Sequence, residues 1–539
     1  MNHRIPYKLR VFATLVRCGM LRPVSPAKTR ALIDVMRSWG TCFAAGVTIA
    51  AVRYPDRPAV IDEWGTLTFA ELDARTNALA HALRGVGVED GDRVAILCRN
   101  HRGFVETTAA AAKLGVDALY LSSELPAPAI ARLLERERPA VLVHDPEFED
   151  RLDLAPSQLT RMLAFAESAA TSSLTLEQAI ASAPSTRLSP PARTGRMLIL
   201  TSGTTGTPRT ALRKPPASLR ESWEPAASFI SRVPLRALGR TMIAVPLHHF
   251  WGFSNFMLTL PLASACVFQR RFDAEATLRA VAEHRASTLI VVPVMLQRML
   301  ELPAATRARY DTSSLRVIAV SGSALPGELA VRTMDAFGDV LYNVYGSTET
   351  AGATVATPRE LRQEPHTAGR PPLGTAVRVL DERGHGVPAG ARGRIFVRSG
   401  FAFQGYSEGA TREILEGFLS TGDVGHMDAR GRLFVDGRDD EMIVSGAENV
   451  YPREVEDVLA THAHVREVAV LGVPDEEFGE RLRAFVVPTD GHAPSEEEIK
   501  DFVRANLARY AVPRDVVFLA ELPRNAAGKV LKRELRSSA

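Results

Sequence analysis

Between residues 199 and 213 the chain reads "ILTSGTTGTPRTALR", directly behind the apolar run Met197 to Leu200. Gly203 and Gly206 let the backbone turn its N–H groups toward an anion, and Thr201, Ser202, Thr204 and Thr205 add hydroxyl donors. The ATP-binding P-loop consensus places Gly-Lys five residues after its first glycine. Counted from Gly203 those places hold Pro208 and Arg209, so the stretch is not that motif. By composition alone a linker is the commoner reading. Three further segments stand out: "YNVYGSTET" at 342 to 350, "STGDVGHMDARGRLFVDGRDDEMIVSGAENVYP" at 420 to 452, and "PRNAAGKVLKREL" at 523 to 535. Taken singly, Glu349 reads as a solvated loop carboxylate, Asp423 as a loop aspartate and Lys529 as an exposed lysine.

The four segments together, in this order and with these separations, resemble the adenylate-forming acyl-CoA synthetase superfamily. The resemblance covers the chain from about Thr68 onward. "GAENVYP" is most similar to the fatty-acyl and aryl CoA ligases within the group. What the resemblance implies is a two-step reaction. A carboxylate attacks the α-phosphate of ATP to give acyl-AMP and pyrophosphate, and the thiol of CoA then displaces AMP. On the same ground Thr201 to Arg209 would wrap the β- and γ-phosphates, with Mg2+ near Thr201 and Glu349 and with Thr348 on the α-phosphate. Gly322 and Ser323 of "SGSALPG" would form one adenine wall. Asn343, Val344, Tyr345 and Gly346 would form the other, Tyr345 stacking. Asp423 would accept the ribose hydroxyls with Arg438 assisting, and Asp440 would be the hinge. Lys529 would enter the site for the first half-reaction, and His249 in "PLHHFWGF" would gate the path to CoA; His248 has no assigned role. The apolar "FWGFSNFMLTLPL" suits a fatty-acid tunnel as well as an ordinary core helix, and a medium- to long-chain fatty acid is the expected substrate. Transfer to a carrier protein, or a homologue that has lost turnover, are the alternatives.

Four positions depart from the pattern. Arg209-Thr210 replaces the Lys-Gly of most relatives; Arg209 keeps the charge and is expected to serve as the phosphate contact. Val444 stands where many relatives carry lysine, and Asp440 replaces a common hinge lysine.

The elements needed to position these groups are legible as alternation. "LTFAELDARTNALAHAL" opens with Thr68 and Glu71 at capping-box spacing and continues as a helix. "RVAILC", "DALYL", "PAVLV", "TLIVVPVMLQRML" and "LRVIAVSGSALPGELAVRTMDAFG" each read as a short apolar strand leading to a turn or helix. The expected fold class is α/β: a large N-terminal domain of layered α/β subdomains with a β-rich part, plus a small mobile α+β C-terminal domain. The expected divisions are a basic extension 1–50, an AMP-binding domain 51–437, a hinge 438–440 and a C-terminal domain 441–539.

Composition fits this reading: 539 residues, 46% hydrophobic and 24% charged, describe a multi-domain globular chain. Cys18, Cys42, Cys98 and Cys266 show neither disulfide nor zinc spacing, which favours a reducing cytoplasm. In the first fifty residues eight cations face one anion, a net +7, so the rest of the chain carries −4 of the +3 total. The negative remainder argues against a nucleic-acid partner. Ser25 and Pro26 open a helix whose Leu32, Val35, Met36 and Trp39 share one face. That face could meet an anionic membrane surface or pack on its own domain. A homodimer stays open.

Overall fold

The computed structural model describes residues 6–40, 42–166, 173–201, 209–213, 219–400, 403–406, 412–445, 448–475, 479–489, 491, 494–526 and 528–537. The chain forms two compact units. The first comprises Met1–Val291, Leu302–Ala319 and Gly400–Thr411, and the second comprises Val292–Glu301, Val320–Ser399 and Arg412–Ala539.

The first unit is built on strands that are apolar along their whole length. Arg93–Leu97, Asp117–Tyr120 and Val141–His144 are buried nearly throughout, as expected of parallel strands covered on both faces. They lie in the order Phe403–Tyr406, Arg209–Arg213, Met197–Thr201, Asp117–Tyr120, Arg93–Leu97, Val141–His144, Thr160–Leu163. The first two are antiparallel additions and the remainder are parallel. A second run, Thr288–Val291, Arg240–Ile243, Ala265–Val267 and Pro58–Asp62, is also parallel, closed by the antiparallel Gly65–Thr68.

Three N-terminal helices, α1 (Tyr7–Arg17), α2 (Pro26–Trp39) and α3 (Phe43–Arg53), precede these sheets. The Ser25 side chain caps α2, and Pro26 holds its first position. Val35 and Trp39 are buried and α2 packs on α3, so the apolar stripe read from the sequence faces inward. Helix α4 (Phe69–Gly85) carries the expected capping box of Thr68 and Glu71. Helix α5 (Arg102–Leu114) is buried along most of its length.

In the second unit the hairpin Leu341–Ser347 and Ala351–Ala356 stands beside an antiparallel β-rich part. There Phe418–Met427 pairs with Gly393–Arg398 on one side and Leu433–Arg438 on the other. A further sheet orders Glu448–Val450, Ile443–Ser445, Gly479–Pro488 and Val465–Asp475, with Asp515–Phe518 pairing parallel to Gly479–Pro488. Helices Pro452–Leu459 and Glu496–Asn506 cover it through Val455, Leu459, Ile499 and Val503. Mixed helices and sheets give the α/β class expected. Among the described residues no helix is long and apolar enough to cross a membrane.

Candidate active site

In the second unit, the tip of the hairpin is set by a close backbone approach. A β-carbon on Gly346 would sit 1.7 Å from the Ala351 carbonyl oxygen, so only glycine fits. Hydroxyls tie the tip itself: Ser347 Oγ accepts from the Glu349 and Thr350 N–H groups, and Thr350 Oγ1 accepts from the Ser347 N–H. Thr348 lies in this turn, and the Glu349 carboxylate beside it is buried. Arg412 Nε lies 3.7 Å from Glu349 Oε1, while Arg412 Nη1 donates to the Thr421 carbonyl.

Strand alternation splits the expected adenine wall. Asn343 and Tyr345 share one face, with the Asn343 amide in a long 3.4 Å contact to the Thr367 carbonyl. Val344 is buried on the other face, so only its backbone is available to a ligand. Gly322, at φ +94°, and Ser323 lie in the loop between the strand Val317–Val320 and the helix Gly327–Phe337.

Asp423 and Arg438 are register partners on adjacent strands, with Arg438 Nη1 3.6 Å from Asp423 Oδ1. Tyr345 Oη donates to Asp423 Oδ2 at 2.5 Å. Burial pushes the Asp423 carboxyl up; the Tyr345 hydroxyl and the charges of Arg438, Arg412 and Lys529 pull it back. The Tyr345 hydroxyl is held well above its ordinary range by burial and by the Asp423 charge.

Lys529 is presented by a short, heavily bonded turn. Asn525 Oδ1 accepts from the Lys529 N–H, and the Asn525 N–H donates back to the Lys529 carbonyl. Arg524 bridges the Gly528 carbonyl and Glu467. Gly528, at φ +74°, lies where a β-carbon would meet Val294 and Val292 at 2.8 and 2.9 Å. The lysine side chain is exposed and near enough to Asp423 to act on its charge.

In the first unit, Thr201 ends one strand and Arg209 begins the next, and the two residues are antiparallel partners. The loop therefore leaves and returns at one point. Ser202, Gly203, Thr204, Thr205 and Gly206 lie outside the described residues, as do the side chains of Thr201, Arg209, Asp440 and Val444. The Asp440 backbone belongs to the 3-10 turn Asp439–Glu441. His248 and His249 precede the helix Phe250–Thr259 with ring centroids 4.3 Å apart. Neither nitrogen of His248, nor Nε2 of His249, has a hydrogen-bond partner among the described residues. Desolvation pushes His249 down to about 4 and His248 well below the usual imidazole range. Within the helix that follows, Phe253 packs on Tyr120 and Phe256 on Phe43, so these two rings serve an aromatic core rather than a tunnel wall.

Two groups escaped sequence reasoning. Arg412 sits eleven residues before Asp423 in a segment without a motif; Asn525 stands inside "PRNAAGK" and was legible there as a turn-forming residue. A third cluster, Cys98, His101 and Asp145, has metal-ligand composition. Its histidine is spent: Nδ1 accepts from the Gly103 N–H at the start of α5 and Nε2 pairs with Asp145 at 2.7 Å.

The AMP-binding enzyme profile matches residues 47–407, and that of the AMP-binding enzyme C-terminal domain matches 454–529. The chain belongs to the AMP-binding enzyme family. An indoleacetate–CoA ligase of Aromatoleum aromaticum is 34% identical, over 90% of this chain and 94% of that protein. A feruloyl-CoA synthase of an Amycolatopsis species is also 34% identical, over 89% and 96%. Among solved structures, the anthranilate CoA ligase AuaEII in complex with anthranoyl-AMP superposes with a TM-score of 0.82 at 25% identity, covering 92% of this chain and 97% of that one. The family and the two-part organisation expected from the motifs are those of the chain.

Proposed function

We propose that the chain activates an aromatic carboxylic acid as its acyl-adenylate and transfers the acyl group to CoA, releasing AMP and pyrophosphate. The observation that carries this reading is the partly buried Asp423 carboxylate, gripped by Tyr345 and flanked by Arg438, within the field of Lys529. Such a carboxylate can accept two ribose hydroxyls, and the cations around it suit an α-phosphate. In this reading Tyr345 and Asn343 meet adenine beside Gly322 and Ser323. Thr348 donates to the α-phosphate. The exposed Lys529 ammonium neutralises charge developing between carboxylate and phosphorus. The loop based on Thr201 and Arg209 cradles the outer phosphates, and His249, kept neutral by burial, moves to admit the thiol. Asp440 acts as the hinge. Glu349 is a buried carboxylate with Arg412 Nε 3.7 Å from its Oε1, and a carboxylate is the donor type Mg2+ takes; bound there, the ion would shield phosphate charge.

An aromatic acid is preferred to the fatty acid expected from the sequence because the indoleacetate and feruloyl ligases share a third of its residues across nearly the whole chain. The test is thioester formation dependent on ATP, magnesium and CoA, with AMP counted, across aryl, arylalkanoic and straight-chain acids. A peak among aromatic acids supports the reading, and turnover confined to long straight-chain acids overturns its substrate class. Acyl-adenylate without thioester would move the acceptor to a carrier protein.

A further inference from the structure

The N-terminal helices use one apolar face and leave another. On α1, Leu15 is buried and the helix packs on Leu219–Ile230. The segment is fastened to the first unit by the Ala237 N–H donating to the Cys18 carbonyl and by Arg236 Nη1 donating to the Arg17 carbonyl. The opposite side of α1 is apolar again. Leu9, Phe12 and Val16, spaced i, i+3 and i+7, are 56%, 57% and 46% exposed, and Ile33 on the outer side of α2 is 43% exposed. A helix with two apolar faces, one of them in water, is not explained by packing among the described residues.

The charges around this second face are predominantly basic. Arg10 and Arg17 each follow an exposed apolar residue by one position, which sets them along one flank of the stripe, and Arg30 and Arg37 bracket Ile33 on α2. Lys8 and Arg22 complete the set. All six side chains are exposed, and among the described residues none makes an ion pair or side-chain hydrogen bond. Asp34 is the one acidic residue in the first fifty. Elsewhere in the molecule many arginines hold carboxylates, Arg99, Arg102, Arg196 and Arg483 among them.

We infer that the outer face of α1, with Ile33 beside its basic neighbours on α2, docks on the surface of an anionic lipid bilayer. The apolar stripe enters the headgroup–acyl boundary, and the arginines meet lipid phosphates. The stripe first visible in the sequence, Leu32 to Trp39, has no part in this, since its Val35 and Trp39 are buried and α2 packs on α3. The face is independent of nucleotide and acid chemistry, so a failure here leaves the proposed reaction untouched.

The experiment is cosedimentation of the full chain with vesicles of phosphatidylcholine alone and with a third phosphatidylglycerol. Two variants run alongside: Leu9→Ser/Phe12→Ser/Val16→Ser and Arg10→Gln/Arg17→Gln. Binding to the anionic vesicles is expected, at least tenfold weaker on neutral vesicles, in 0.5 M salt and in either variant. The exposed arginine pair keeps the test open should the triple variant fold poorly. No binding to anionic vesicles, or equal binding by the arginine variant, overturns the inference. A dimer seen by light scattering that the triple substitution dissolves, without vesicle binding by the parent, assigns the face to a second copy and also overturns it.

Discussion

Tyr345 and Asp423, seventy-eight residues apart in sequence, share a 2.5 Å hydrogen bond in which the phenol donates to the carboxylate. The bond couples the hairpin carrying Thr348 and Glu349 to the strand carrying the proposed ribose acceptor. Asp423 keeps its charge in a desolvated place partly because this donor is there.

Tyr345→Phe is therefore expected to weaken AMP and ATP binding about tenfold, roughly 1.4 kcal/mol, within the range for a hydrogen bond to a charged group. Removing the donor raises the Asp423 carboxyl further. Calorimetric titration of AMP against pH should show binding lost on the acid side at a higher pH than in the parent protein. An unchanged acid limb would separate the phenol from the charge of Asp423.

Arg412 approaches Glu349 and acts on Asp423, so it links both carboxylates. Arg412→Ala is expected to raise the KM for ATP by about five- to tenfold, on the order of 1 kcal/mol for a partly buried charge contact. Arg412→Lys should restore only part of it, because a point charge cannot face two acceptors as a planar guanidinium does. Initial rates at varied ATP check both.

Lys529→Ala should abolish acyl-AMP formation by a factor of about 10² to 10³, as for loss of one group acting on transition-state charge. Thioester formation from supplied acyl-adenylate should survive. Loss of both half-reactions would give the lysine a shared role or show a collapsed turn around Asn525.

The two adjacent histidines make the first unit sensitive to acid. His249 binds its proton in the folded chain only near pH 4, whereas an unfolded histidine does so near 6.5, and His248 is shifted in the same direction. Between those values unfolding takes up protons, so stability is lost as pH falls, by about 1.4 kcal/mol per pH unit for each histidine. His248→Phe should flatten part of that slope in urea unfolding followed from pH 7 to pH 4.5.

Buried Lys113 donates to Asp73, Thr76 and Asn77 at 2.9, 2.8 and 2.6 Å. Lys113→Ala leaves those acceptors without a cation and should cost about 3–5 kcal/mol. Lys113→Met keeps the aliphatic stem and should cost less. Urea midpoints compare the two.

Much of this molecule was legible because its signals are local. The Thr68–Glu71 box, the Ser25–Pro26 start of α2 and the buried parallel strands follow from spacing and hydropathy, and each stands where expected. The motifs named the family. Contacts between distant segments were not legible: nothing in "YNVYGSTET" says that its second tyrosine reaches Asp423, and Arg412 lies in a stretch without pattern. Amphipathicity also left the N-terminus undecided between protein and membrane. A helical stripe shows that a face is apolar without saying whether protein or solvent meets it; α2 turned its stripe inward, and α1 exposed one that the sequence had not singled out.

The four cysteines acquire a meaning from the chemistry proposed for their host. All are free thiols, three of them buried, and burial pushes each one upward, Cys266 to about 12. A protonated, shielded thiol is a poor nucleophile. Acyl-adenylates acylate any thiolate they meet, and thioesters exchange with it, so an enzyme that forms both runs the hazard of modifying itself. Here the only sulfur presented to the activated acyl group in reactive form is the one that arrives on CoA.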